Sequence, residues 1–177
     1  ADTMVGGSGN DTYVVDNAGD VTFEGSALDG VDLVQSSVAR NLGANLENMT
    51  LTGSAAIDGV GNSLANIVNG KSGGNSLFGN GGNDTLNGGA GDDTLSGAAG
   101  NDAFVFAPGS GQDRVTDFVA GGVDDTLNLS AYNGTGITWT ITQVGADTVF
   151  DFSNGDQITL TNVIAANLVQ TDPFGYS

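Results

Sequence analysis

The chain has 177 residues, with 21 acidic side chains against 3 basic ones, a net charge of −18, and neither Cys nor His. That composition excludes thiol chemistry, imidazole acid–base catalysis and His/Cys zinc sites, and its field repels nucleic acid and anionic membranes. No stretch approaches the roughly 18 uninterrupted apolar residues of a membrane span.

Gly, Asn and Asp make up more than a third of the chain, a turn-forming composition. Leu, Ile, Val and Phe still supply about a quarter of it, above the roughly 20% mark below which chains stay disordered. There is enough apolar residue for a core and a charge that opposes compaction, so something must neutralise the charge. In chain order, Ala1-Asp2-Thr3-Met4-Val5 reads as the back half of a nine-residue unit, with Asp2 sixth and Met4 eighth. The segment is thus expected to come from a longer protein whose N-terminal parent precedes it. Gly6–Val14 is the first whole unit, with Asp11 sixth and Tyr13 eighth.

Residues 15–60 leave the strict period. Asp20 follows Asp11 by nine, but Val21 and Phe23 are out of step, and a longer loop through Gly25 and Gly30 precedes Asp32 and Val34. Leu42, Leu46, Met49 and Leu51 are expected to point inward on wider coils. Gly61–Asn69 is a degenerate unit with Asn66 sixth, and four tandem units start at Gly70, Gly79, Gly88 and Gly97. Their sixth residues are Asn75, Asp84, Asp93 and Asp102; their eighth are Leu77, Leu86, Leu95 and Phe104. One inward apolar residue per nine does not fit a helix. It fits a tight glycine turn followed by a short strand whose middle residue points inward. With successive strands on opposite walls, eighteen residues complete a coil, so Leu77 stacks on Leu95 and Leu86 on Phe104. The predicted architecture is all-β: a right-handed parallel β-roll, a β-helix solenoid, over residues 1–105.

After Val105 the period ends. Asp113 and Val115 repeat the Asp-x-apolar signature, and Asp117-Phe118 precedes Asp124-Asp125 and Leu127, Leu129-Ser130. Residues 137–144, 147–152 and 157–163 alternate or run apolar between Gly145-Ala146 and Asn154-Gly155 turns, and are predicted to form a C-terminal β-strand cap within 106–177. An open last rung is a sticky edge that needs covering.

The unit resembles the glycine- and aspartate-rich nonapeptide G-G-x-G-x-D-x-U-x of the RTX (repeats-in-toxin) family, a calcium-binding β-helix repeat. Gly88–Ser96 and Gly6–Val14 match every fixed position; Gly79–Asn87 and Gly97–Val105 depart at position two, with Asn80 and Ala98. The segment Asp117–Ser130 resembles the stretch that closes RTX rolls, with one extra residue that leaves the choice between Asp124 and Asp125 open.

Calcium takes six to eight oxygens, roughly, from carboxylates and carbonyls. Turns eighteen residues apart share an edge of the roll: 79–84 faces 97–102 and 70–75 faces 88–93. The resemblance implies that each ion takes oxygens from both turns of such a pair. Asp84, Asp93 and Asp102 are the leading side-chain ligands, with Asn83, Asp92 and Asn101 at position five as helpers or carbonyl donors. Gly79, Gly81, Gly88, Ala90, Gly97, Ala99 and Gly100 complete these turns. Asp2, Gly7, Gly9 and Asp11 are the N-terminal counterparts, and Asp113, Asp117 and Asp125 those beyond the repeats. Asn66 and Asn75 are neutral and predict weaker sites, while Asp20, Asp32, Asp58 and Asp147 are equally readable as solvated turns. Two carboxylates about 5 Å apart repel by roughly 0.8 kcal/mol even in water, so stacked aspartates argue for several bound Ca2+ ions. Magnesium fits less well, and zinc and copper lack their preferred ligands.

Three functions compete. The first is a calcium-dependent folding and secretion module of a larger extracellular protein. By resemblance it comes from a Gram-negative bacterium and leaves unfolded through a type I exporter, with a C-terminal signal in residues 158–177. The second is a polysaccharide- or surface-binding module, with Tyr132, Trp139 or Tyr176 as sugar platforms. The third is an enzyme, disfavoured because the carboxylates sit at repeat-defined turn positions and no nucleophile elbow, phosphate loop or metal-hydrolase motif is present.

Overall fold

The computed structural model describes residues 1–26, 30–121, 125–172 and 174–177. Its strands are β1 (Thr3–Val5), β2 (Thr12–Val15), β3 (Val21–Phe23), β4 (Leu33–Ser36), β5 (Arg40–Asn41), β6 (Asn48–Leu51), β7 (Gly59–Val60), β8 (Ile67–Asn69), β9 (Ser76–Gly81), β10 (Thr85–Asn87), β11 (Thr94–Ala99), β12 (Ala103–Val105), β13 (Gln112–Val115) and β14 (Thr126–Asn128). After a 3-10 turn at Ser130–Tyr132 come β15 (Trp139–Val144), β16 (Asp147–Phe152), β17 (Gln157–Leu160), β18 (Gln170–Asp172) and β19 (Gly175–Tyr176).

Even-numbered strands from β2 to β14 pair in parallel as one wall, and β5, β7, β9, β11 and β13 pair in parallel as the other. This is a parallel β-solenoid of about six turns with about 4% helix, as the repeat predicts. Leu77 stands opposite Leu95 and Leu86 opposite Phe104, the expected one-rung register. One buried column runs Tyr13, Val34, Met49, Val68, Leu86, Phe104, Leu127. The facing column runs Gly59, Leu77, Leu95, Val115, Leu160. A Cβ on Gly59 would meet Met49, Val68 and Leu77, so large neighbours fill that rung.

The irregular coils are not all wider than the repeats, contrary to the expectation from sequence. Equivalent positions are 21 residues apart from Asp11 to Asp32, only 15 from Asp32 to Glu47, and 18 through the tandem repeats. Leu42, Leu46, Met49 and Leu51 are buried as predicted, but the second of these coils is narrow. At β3 the inward residue is Thr22, whose flanking Val21 and Phe23 are exposed. Its hydroxyl accepts from Arg40, whose guanidinium also donates to the Asp20 carbonyl. A polar pair thus replaces the apolar stack, and the hydrophobic parity reads out of step for that reason.

Parallel pairing continues past Val105. β13 extends one wall and β14 the other, β17 adds in parallel to β13, and the antiparallel β16 and β15 then close that wall. On the opposite wall β19 and β18 pair antiparallel beyond β14. Tyr132 stacks on Phe152 at 4.5 Å between ring centroids, and Trp139 packs on Phe152 and Phe174. Tyr132 and Tyr176 are buried and Trp139 half-buried, so the three rings read as sugar platforms are packed in the cap instead. Among the described residues no helix is long and apolar enough to cross a membrane.

Candidate metal centres in the turns

The sixth-position aspartates form ladders along both edges of the roll. On one edge the amide N–H of Asn66 donates to Asp84 Oδ1 (2.8 Å), that of Asp84 to Asp102 Oδ1 (2.8 Å), and that of Asp102 to Asp125 Oδ1 (3.0 Å). On the other edge Asn75 donates to Asp93 Oδ1 (2.7 Å) and Asp93 to Asp113 Oδ1 (3.0 Å). Each carboxylate therefore answers the backbone donor of the preceding rung, a group the tight turn leaves without a partner in its own coil.

The second oxygen is the informative one. Oδ2 of Asp84, Asp93, Asp102 and Asp113 is buried and has no hydrogen-bond partner, and so is Oδ2 of Asp11. In the repeat turns it lies over the first glycine of its own unit: a Cβ on Gly79, Gly88 or Gly97 would collide with Oδ2 of Asp84, Asp93 or Asp102. The glycine is there to leave room for the carboxylate. Among the described residues, the ion pair between side chains joins Arg114 to Asp147, and no basic side chain reaches Asp84, Asp93, Asp102 or Asp113. Burial pushes Asp84 and Asp93 up to about 6 and Asp113 up to about 7, and raises Asp102 and Asp125 as well. A buried, unpartnered carboxylate oxygen is costly. A row of them fits hard, oxygen-seeking cations of the calcium type.

Asparagine at the same position behaves differently. Asn66 Oδ1 accepts from its own turn, at the Asn62 N–H (2.7 Å), and Nδ2 donates to the Leu46 and Glu47 carbonyls. Asn75 likewise accepts from Lys71 and donates to the Ile57 carbonyl. Both amides are satisfied by protein, in keeping with weaker sites there.

The remaining predicted residues divide. Asp125, of the Asp124/Asp125 pair, takes the ladder position, and its Oδ2 accepts from Val119 (2.8 Å); Asp124 lies outside the described residues. Asp117 is occupied by protein donors: Ser96 Oγ, Gly97 N–H and Ala98 N–H cap onto its carboxylate. Asp92 Oδ1 accepts from Gln112 and Asn83 Oδ1 from Asn101, so position five ties adjacent turns together. Ala90 and Ala99 carbonyls accept from Gly73 and Gly82, while Gly81 stands opposite Ala99. Gly100 packs so closely on Gly82 that a Cβ would clash. Gly7 and Gly9 lie at positive φ in an exposed turn, and Asp2 is exposed, its N–H donating to Asp20 Oδ1.

Several participants have no repeat signature. Glu47 takes a ladder place by accepting from Asp32 N–H (2.9 Å), and its Oε1 is buried without a partner. Asp156, from the cap, accepts from Gly109, Gly111, Tyr132 and Asn154. Burial raises its pKa, but these hydrogen bonds outweigh burial and hold it below the usual carboxylate value. Asp11, Glu24 and Asp32 place carboxylate oxygens within 4.8 Å of one another. The 15- and 21-residue coils hid Glu47 and Glu24, and Asp156 is legible only as a turn residue.

The RTX calcium-binding nonapeptide repeat matches in four copies, over residues 1–13 and 60–104. Two curated relatives from Rhizobium meliloti (strain 1021) are named endo-1,3-1,4-beta-glycanase. ExsH is 41% identical and EglC 40% identical, each over 169 residues, 94% of this chain and 33% of the relative. The chain thus spans about a third of the length of those relatives. Among solved structures, the AlgE6R3 subunit of the Azotobacter vinelandii mannuronan C5-epimerase covers 77% of this chain and 86% of its own, at 26% identity and a TM-score of 0.42. The glycine that makes room, the aspartate oxygen left over and the matched repeats agree: residues 1–13 and 60–104 are RTX calcium-binding nonapeptide repeats, set in a parallel β-roll.

Proposed function

We propose that the chain is a folding module of a larger extracellular protein, closed by calcium after export. The observation that carries this is the row of buried, unpartnered Oδ2 atoms at Asp84, Asp93, Asp102 and Asp113. These four, with carbonyls from their glycine turns, are the ligands we assign, and the ion supplies the positive charge that the turns lack. Without it, a charge of −18 and desolvated carboxylates favour the expanded chain. The matched repeats occur in secreted proteins, and a cysteine-free chain stays pliable before it crosses a membrane. The repeat-bearing roll over 1–105, the closing segment 106–177 in which β13 and β14 extend both walls beneath the cap strands, a type I export signal in 158–177 and a Gram-negative source belong to the same reading; Pro173 within that signal lies outside the described residues. Catalysis is assigned to the parent protein, outside this chain.

Far-UV circular dichroism during a calcium titration of the metal-stripped chain tests it. The expected outcome is a cooperative gain of β signal and melting temperature with calcium and little with magnesium. A stripped chain already folded and indifferent to calcium overturns it.

A second reading is favoured by the outer face of the even-numbered wall. The seven parallel strands β2, β4, β6, β8, β10, β12 and β14 carry no charged residue, and Gln35, Thr50, Asn69 and Asn87 follow one another along it. A neutral polysaccharide fits such a face, as the names of the glycanase relatives suggest. Retardation of the calcium-loaded chain in a β-glucan gel is the expected sign; unchanged mobility removes the reading.

A further inference from the structure

We propose that a cavity between the loop after β13 and the turn after β17 binds one ring of a neutral polysaccharide; this rests on the polysaccharide reading of the chain and gives it a site. The cavity measures about 260 Å³ and lies where Phe118 and Val119 face Asn162, Val163, Ile164 and Asn167. Pockets for drug-sized ligands run to roughly 300–1,000 Å³, so this one is sized for a single ring. It lies outside the calcium repeats, whose match ends at residue 104.

Both sides of the cavity are held by hydrogen bonds from neighbouring elements. On one side Val119 N–H donates to Asp125 Oδ2 (2.8 Å), and the Phe118 ring packs on Phe104 at 6.0 Å between centroids. On the other, Asn162 sits at φ 58° with its N–H on Asp147 Oδ1 (2.9 Å). The Val163 carbonyl accepts from Thr148 Oγ1 (2.7 Å) and Gln143 Nε2 (3.2 Å), and Gln143 Oε1 accepts the Ala165 N–H (2.7 Å). A site fixed before its ligand arrives loses less ordering entropy on binding.

The lining offers two kinds of surface. Phe118 and Val163 are buried, while Val119 and Ile164, 51% and 49% exposed, present apolar side chains at the mouth. Asn162 and Asn167 are exposed, and among the described residues neither carboxamide bonds to protein. Each carboxamide both donates and accepts, which matches sugar hydroxyls, and the aliphatic mouth suits the C–H face of the same ring. A wholly apolar guest leaves both carboxamides idle. A charged guest finds no counter-charge, since no Asp, Glu, Lys or Arg lines the cavity among the described residues. An acidic sugar also meets the field of a chain at −18. A neutral pyranose uses both surfaces.

Titration of the isotope-labelled, calcium-loaded chain with a mixed-linkage β-glucan tetrasaccharide, followed by amide chemical shifts, tests the site. Saturable shifts are expected at the Asn162 and Asn167 side-chain amides and at the Val119 and Ile164 backbone amides. Asn162→Gly, which tolerates the positive φ, combined with Asn167→Ala is expected to weaken binding about tenfold, the worth of two hydrogen bonds. Asn69→Lys on the even-numbered wall is expected to leave these shifts in place, and a mannuronate tetrasaccharide to produce none of them. Shifts confined to Gln35, Thr50, Asn69 and Asn87 overturn the pocket and leave the polysaccharide reading standing on the wall. No shift anywhere overturns the pocket too, and the gel then decides the wall by itself. Equal shifts with N-acetyl-leucinamide also overturn the proposal, by assigning the cavity to apolar side chains. The unsubstituted chain decides each of these outcomes, whether or not the variants fold.

Discussion

Aspartate and asparagine at the sixth turn position differ by one satisfied atom. Asn66 and Asn75 close their own turns through Oδ1 and reach back a rung through Nδ2, whereas Asp84 and Asp93 leave Oδ2 buried and alone. Asp93→Asn is therefore expected to stabilise the metal-free chain by about 1–3 kcal/mol, the usual cost of an unsatisfied buried acceptor, and to shrink the increment that calcium adds. Urea unfolding with and without calcium measures both. The same atoms set the pH response. Burial lifts Asp84 and Asp93 from 3.8 to about 6 and Asp113 to about 7. A carboxylate whose folded pKa is raised contributes its stability below the unfolded value and loses it as pH rises through the folded one. The metal-free roll is thus expected to be most stable near pH 4 and to weaken between about 4 and 7, while calcium reverses the trend by competing with protons. Urea midpoints of the stripped chain at several pH values read this directly, and a flat profile contradicts it.

At the scale of turns and strands, the repeat is a spacing rule between a glycine and an aspartate five residues later. Gly88→Ala puts a methyl where Asp93 Oδ2 lies. It is expected to cost about 0.5–3 kcal/mol in calcium and to raise the calcium midpoint, whereas Gly7→Ala, with open space around it, meets only backbone strain at its positive φ. The tandem coils were legible because every rung repeats at 18 residues, which fixes the wall, the inward residue and the carboxylate together. Thr22, Arg40, Glu47 and Glu24 were not. Rungs of 21 and 15 residues break the count, and a polar pair inside the roll has no apolar signature. Asp117 was legible as an acid near the end of the roll but not in its role, since three donors of the 96–98 turn converge on it from another rung.

For the molecule as a whole, the cap decides what happens at the open end. β17 covers the edge of β13, β19 covers β14, and Phe150, Leu160 and Ile158 are buried with them. Asp156 fastens this layer to the 107–111 turn through Gly109 and Gly111. A chain ending at Asn133 leaves both edges unpaired and is expected to self-associate more strongly than the full chain at tens of micromolar, roughly, as exposed parallel edges do. Sedimentation velocity in calcium compares them. The cap's strands were readable from alternation and turn residues, but their antiparallel return onto the solenoid was not, because pairing order leaves no trace in local periodicity.

The ladders also have a direction. Every carboxylate in them serves the backbone donor of the rung before its own, and none of these bonds runs the other way. A rung is complete only when its successor is in place. Trimming coils from the front leaves every surviving donor answered, while cutting from the back orphans the new last rung on both edges. The roll carries an arrow from its last turn to its first, set by hydrogen-bond donors, so the two ends of the same regular structure are unequal in what they can lose.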